Sequence, residues 1–454
     1  GRSAPGGRLA GAGPDPLGRA GPGATKPGFP LFFAVPEHST FLQDLAIILS
    51  LAALATIIFQ RLRLPIVAGY LIAGVALGPN VAVSLIGDPG TVRTLAELGV
   101  ILLMMFVGLE FRIRRVARIG ARVGVAVLIE VGLMLALGFG VASVLGWGRV
   151  ESLLAAGMVA ISSTAVIAKA FEEHPPDWRL KDLVFSLLVL EDLVAIVLVA
   201  IATTVAVGGS VDLGRLLGNL ALVLVGMVIA GMLVVPPILR AVVRLGRRET
   251  ILVTAIGLTF LAALVTHRAG YSVALGSFVA GVLMSESGGA HQISEIVQPV
   301  RDLFAAVFFV AVGMLLDVRA ALEAWPLVLL FTLLVIIGKS MGITLGAFVT
   351  GFGTRLSVQA GQTMAQIGEF SFIIAGLGLA AHAGDAPLYS IAVTTAIITA
   401  FLTPTMVARS AGVAIWVDRH LPRPIQTFTS LYGAWLEQLG QGGGTSSPWR
   451  RARR

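Results

Sequence analysis

Residues 182–207, DLVFSLLVLEDLVAIVLVAIATTVAV, decide how the rest of the chain is read. A helix of about 20 mostly apolar residues crosses the roughly 30 Å hydrocarbon core of a bilayer, and this stretch exceeds that length. Two adjacent carboxylates, Glu191 and Asp192, interrupt it about 14 Å from its start at about 1.5 Å per residue. Ionisable groups at that depth are costly, and by default they mark an ion or substrate path.

The same apolar character extends outward. Of 454 residues, 56% are apolar and 13% charged, and the mean hydropathy is +0.90. A soluble domain carries about 25% charged residues; half of that leaves too little polar surface to cover a globule. The composition therefore indicates an all-α polytopic membrane protein. With no Cys, thiol catalysis, disulfides and thiolate metal sites are excluded. The formal charge of +8 would suit nucleic acid, but the basic residues fall between apolar spans, so no nucleic-acid partner is expected. Nine Gly and six Pro stand among the first thirty residues, with no apolar h-region before a cleavage site. Residues 1–36 are accordingly expected to be a disordered tail rather than a signal peptide.

Windows of membrane-crossing length recur about thirteen times: 42–59, 64–80, 92–109, 121–146, 150–171, 182–207, 214–239, 249–268, 271–286, 300–317, 323–350, 357–381 and 388–409. They define a transmembrane region over 37–410 and a cytoplasmic tail over 411–454. With the N-terminus outside, the inner loops hold sixteen Lys and Arg, led by Arg112, Arg114, Arg115, Arg118 and Arg122, against five in the outer loops. The positive-inside rule then places the N-terminus outside and the C-terminus in the cytoplasm. The tails account for every other basic residue except Lys339, near the middle of the eleventh span. A lone ammonium there costs at least ~2.5 kcal/mol, so Lys339 is expected to face a cavity or a carboxylate.

Glu130, Glu191, Asp192 and Glu369 lie at mid-depth. Neighbouring helical positions point about 100° apart, so one of Glu191 and Asp192 faces an ion cavity while the other addresses an adjacent helix. A coupled carboxylate pair beside Lys339 is what exchange of H⁺ against a metal cation requires; the alternative is a structural ion pair with no transport role. Glu130 is assigned to hydrogen bonding with a neighbouring helix, and Gly69, Gly74 and Gly78 to close helix contact.

Two spans carry polar interruptions. The fifth, AGMVAISSTAVIAKAF, brings Ser162, Ser163 and Thr164 together, and the twelfth, AGQTMAQIGEFSFII, holds Gln366, Gly368 and Glu369. Each cluster alone fits ordinary helix packing as well as an ion site. Together, at one depth, they point to discontinuous helices whose free carbonyls and opposed dipole ends coordinate cations. The two spans are seven apart in order, so they run in opposite directions, as inverted-topology repeats do.

The strings RLPIVAGYLIAGVALGPN (63–80), LAELGVILLMMFVGLEF (95–111), SSTAVIAKAFEE (162–173), LLVLEDLVAI (187–196), GSFVAGVLMSES (276–287), PVRDLFAAVFFVAVGMLLD (299–317) and AQIGEFSFIIAGLG (365–378) resemble the second monovalent cation:proton antiporter family. That family contains Kef-type potassium efflux systems and some bacterial sodium/proton antiporters. The resemblance implies the sodium/proton-antiporter fold with two crossed discontinuous helices, a homodimer in the bacterial inner membrane, and elevator-type alternating access. It implies that Asp192 is the principal carboxylate for the transported Na⁺ or K⁺ and for H⁺, with Glu191 beside it and Lys339 as a basic residue that ion-pairs there. Ser162 to Thr164 and Gln366 to Glu369 match the crossed helices. The Glu-Asp pair is neither common variant of the family. Many relatives carry a cytoplasmic nucleotide-binding domain, for which the segment after the last span is expected to be too short.

The expected function is therefore antiport at a buried carboxylate, with no cofactor. A gated cation channel would use similar residues without proton coupling. An intramembrane enzyme is disfavoured, because the six His residues fall in loops or near span ends and form no H-E-x-x-H motif. A polytopic sensor is disfavoured because no signalling domain flanks the spans.

Overall fold

The computed structural model describes residues 40–78, 89–110, 120–206, 213–380 and 387–420. Every regular element among them is helical: α1 (Thr40–Arg61), α2 (Ile66–Leu77), α3 (Pro89–Glu110), α4 (Ala121–Val144), α5 (Arg149–Val159), α6 (Thr164–Glu173), α7 (Trp178–Ala206), α8 (Leu213–Arg244), α9 (Arg248–Arg268), α10 (Val273–Ser285), α11 (Ala290–Met314), α12 (Val318–Glu323), α13 (Trp325–Val349), α14 (Thr354–Thr363), α15 (Glu369–Ala380) and α16 (Leu388–His420). The N-terminal tail expected over 1–36, the Arg112, Arg114, Arg115 and Arg118 cluster, and residues 421–454 lie outside the described residues.

Among the described residues nine helical segments, counting the interrupted 149–171 as one, are long and apolar enough to cross a bilayer, and four shorter apolar helices accompany them at 66–77, 94–109, 273–285 and 369–378. The expected span over 300–317 begins at Ala290, and the one over 388–409 continues to His420. In both, polar helical turns extend past the apolar stretch, and a hydropathy window registers only the apolar part. The short α12 was not anticipated; it starts where the Asp317 carboxylate accepts a hydrogen bond from the Ala320 N–H (3.0 Å).

Small residues set the closest helix contacts, as they do where lipid supplies no hydrophobic drive between helices. A Cβ on Gly74 in α2 would lie 2.0 Å from the Val310 carbonyl oxygen of α11, and one on Gly313 would lie 2.1 Å from the Leu71 carbonyl oxygen of α2. The two backbones therefore touch. In the interrupted segment 149–171, 78% of the apolar window is buried, against 17% for 221–244 of α8, so the broken helix sits in the middle of the bundle and α8 at its edge.

Candidate ion-binding site

The first break follows from local sequence. After α5 the chain leaves helical geometry, and Ser163, at φ −94° and ψ 117°, caps α6 with its Oγ accepting from the Val166 N–H (3.4 Å). Serine in this position offers the backbone an alternative partner to the helical ladder. The second break runs from Met364 to Gly368, between α14 and α15.

The two breaks meet. The Gly368 N–H donates to the Ile161 carbonyl (2.9 Å), and the Ser162 hydroxyl donates to the Met364 carbonyl (3.2 Å). The Gln366 amide grips Ser163 from both sides: its Oε1 accepts from the Ser163 N–H (2.9 Å), and its Nε2 donates to the Ser163 carbonyl (3.1 Å). Ser163 Oγ also donates to Glu369 Oε2 (3.3 Å), and Ser371 Oγ to the Met158 carbonyl (2.6 Å). Only glycine fits at 368, because a Cβ there would lie 2.5 Å from the Ser162 carbonyl oxygen. In hydrocarbon, irregular backbone persists only where its polar groups are satisfied, and here the two breaks satisfy each other.

Charged groups of matching sign cap the interruption. At the end of α5 the Ala160 carbonyl accepts from the Lys339 ammonium (2.8 Å), a cation at a helix C-terminus. At the start of α6 the Ser162 N–H donates to Glu191 Oε2 (2.9 Å), an anion at a helix N-terminus. Asp192, the next residue on α7, turns instead toward the hydroxyl of Thr164, whose Oγ1 lies 3.3 Å from Asp192 Oδ2. Glu191 is 1% exposed and Asp192 8%, so both carboxylates are buried. Oxygen ligands of this kind, a carboxylate and a hydroxyl beside a broken helix, suit a hard metal cation.

The principal partner of Lys339 is Glu130, not Glu191. Its ammonium lies 2.9 Å from Glu130 Oε1 and 3.8 Å from Glu191 Oε2, because Glu191 is already engaged by the Ser162 N–H. The bond to a neighbouring helix expected for Glu130 exists, and its donor is the Lys339 ammonium. A signal was present in the sequence. Glu130 lies about 14 Å from the start of α4, Lys339 about 15 Å from the end of α13, and Glu191 about 14 Å from Asp182. The three offsets agree within about 2 Å. The Ala160 and Met364 carbonyls carried no such signal, since a main-chain acceptor has no residue type to betray it.

The structure thus brings together all the predicted residues: Ser162, Ser163, Thr164, Glu191, Asp192, Lys339, Gln366, Gly368 and Glu369, with Glu130 added. Val166 of α6 packs in a small apolar cluster with Ala68 and Ala400, flanked by Phe59 and Phe401.

Residues 47–410 match the family model described as the transmembrane sodium/hydrogen exchanger. The putative cation/proton antiporter YbaL of Escherichia coli is 32% identical over 391 residues, covering 83% of this chain and 68% of that protein. The glutathione-regulated potassium-efflux system protein KefC of an Enterobacter species is 34% identical over 385 residues, covering 82% of this chain and 60% of its own length. The chain therefore spans about two thirds of YbaL and less of KefC. The sodium proton antiporter MjNhaP1 from Methanocaldococcus jannaschii superposes with a TM-score of 0.65 at 16% identity, covering 83% of this chain and 97% of that structure. Its likeness concerns the fold.

Proposed function

The chain belongs to the sodium/hydrogen exchanger family, and from that premise we propose that it is a secondary active transporter exchanging a monovalent cation, Na⁺ or K⁺, for H⁺. The observation that carries the reading is the placement of Asp192 beside Thr164, at the crossing of two interrupted helices. Competition supplies the coupling. The cation needs Asp192 ionised and a proton neutralises it, so each ligand displaces the other and exchange follows when the site opens alternately to the two sides. Glu191 and Lys339 hold the two ends of the first break, and Ser163, Gln366, Gly368 and Glu369 join it to the second, so the crossing acts as one rigid ion cradle. In this reading the protein is a homodimer in a bacterial inner membrane with its N-terminus outside, and the apolar faces exposed on α1, α8 and α9 meet lipid or the second copy.

Reconstitution tests the reading. In proteoliposomes holding a pH gradient, addition of Na⁺ or K⁺ is expected to collapse the gradient, and Asp192→Asn is expected to abolish the response. The apparent affinity for the cation should fall as the pH falls, because H⁺ then occupies Asp192. Cation flux with no opposing proton movement would instead establish a channel.

A further inference from the structure

A cavity of about 920 Å³ opens beside the far end of α6 from the crossing, at the seam between the α1–α2 turn and the α6–α16 pair. Its lining includes three permanent cations, Arg63, Lys169 and Arg409, against one carboxylate, Glu173, and part of its wall is apolar, formed by Phe401 and Pro404. The guanidinium groups of Arg63 and Arg409 line one cavity, and two like charges so placed favour an anion between them. For a path that delivers cations, such a lining is the wrong sign; for an anion it is the right one.

The backbone gives a second, independent indication. Arg63 has φ +54°, and it is the only residue other than glycine with positive φ among the described residues. It closes α1, with its own N–H donating to the Gln60 carbonyl (3.2 Å) and the Leu64 N–H to the Phe59 carbonyl (2.9 Å). Glycine is the residue that takes this helix-ending conformation without steric penalty. An arginine held there carries its guanidinium to the cavity rim at the expense of local strain, and strain of this kind concentrates at functional positions.

We propose that this cavity is a binding site for a phosphate-bearing anion, and that its usual occupant is the headgroup of an anionic membrane lipid. Arginine and lysine suit phosphate as fork and point charge respectively, and basic pockets between transmembrane helices on the cytoplasmic side recognise such headgroups. The cavity lies by the Arg61 end of α1 and the Lys169 end of α6, the side that the distribution of Lys and Arg assigns to the cytoplasm. The apolar wall accommodates the start of an acyl chain. A bound headgroup would bridge the α1–α2 turn to α6 and α16.

The test is a binding measurement that does not depend on antiport. Thermal unfolding of the detergent-purified protein is followed while phosphatidylglycerol, phosphatidylcholine with the same acyl chains, or glycerol 3-phosphate is titrated in. Phosphatidylglycerol is expected to raise the Tm by several degrees, phosphatidylcholine not to, and 0.5 M salt to shrink the response. Arg63→Gln combined with Arg409→Gln should remove the effect, while Glu173→Gln, which deletes the one carboxylate, should shift the titration midpoint to lower lipid concentration. That gain would not arise from damage to the fold. A full response to glycerol 3-phosphate would assign the site to a soluble phosphate. Equal responses to the two lipids, or an undiminished response to phosphatidylglycerol in the double variant, would overturn the proposal.

Discussion

Glu130→Gln offers the sharpest test of how the buried charges are arranged. The ammonium of Lys339 is 2.9 Å from Glu130 and 3.8 Å from Glu191, and all three side chains are at most 2% exposed. At an effective dielectric constant of ~20 the raw attraction is about 6 kcal/mol at the first distance and about 4 kcal/mol at the second. Removing one partner of a buried pair typically costs about 3–5 kcal/mol. Glu130→Gln leaves Lys339 with Glu191 and the Ala160 carbonyl, so its cost should fall near about 3 kcal/mol. Lys339→Met strands two carboxylates and should cost about 5 kcal/mol. The double variant restores the native net charge of the cluster and should cost less than the sum of the two single losses, with a coupling of roughly 2–3 kcal/mol. Heating the detergent-solubilised protein and measuring the surviving monodisperse fraction reads these differences, at about 2 °C per kcal/mol for a chain of this size. If the two single losses simply add in the double variant, Glu130 is not the partner of Lys339 and the account of the first break fails.

Other outcomes follow from the crossing itself. Gly368→Ala should reduce exchange at least tenfold in the proteoliposome assay, since its Cβ would press on the Ser162 carbonyl, whereas Gly226→Ala in α8, with nothing within 4 Å, should leave exchange unchanged and gain about 0.5–1 kcal/mol in stability. Gln366→Ala should impair exchange more than Gln366→Glu, because glutamate keeps the acceptor for the Ser163 N–H while alanine loses both bonds. Tyr389→Phe removes a buried hydrogen bond to the Val312 carbonyl (2.9 Å), which takes no part in the crossing, and should lower stability by about 1 kcal/mol without changing cation affinity.

Much of this architecture was legible before any coordinates, for a definite reason. In a bilayer, hydropathy and the cost of burying charge act on residue types one at a time, so the spans, the acidic pair and Lys339 stand out singly. The polar interruptions at Ser162 and Gln366 were readable because serine, threonine and glutamine are conspicuous inside apolar helices. Pairings were harder. Glu130 and Lys339 are 209 positions apart in the chain, and choosing between Glu130 and Glu191 required knowing that the Ser162 N–H had already claimed Glu191. That main-chain donor exists only because the helix breaks, and the sequence marks the break without giving its geometry. The extra turns of α11 and α16 escaped because they lie beyond the apolar windows.

The crossing also constrains how the protein is made. The Ser162 hydroxyl and the Ser163 main chain find their partners on residues 202 and 203 positions later, and Ser163 Oγ reaches a carboxylate 206 positions later. While the ribosome is still far from Met364, the first interrupted helix is therefore already inserted with polar groups open to hydrocarbon, each worth several kcal/mol. Nascent chains that stall before the second interruption emerges should be recognised as faulty by membrane quality control, and assembly is sealed only when the late segment docks.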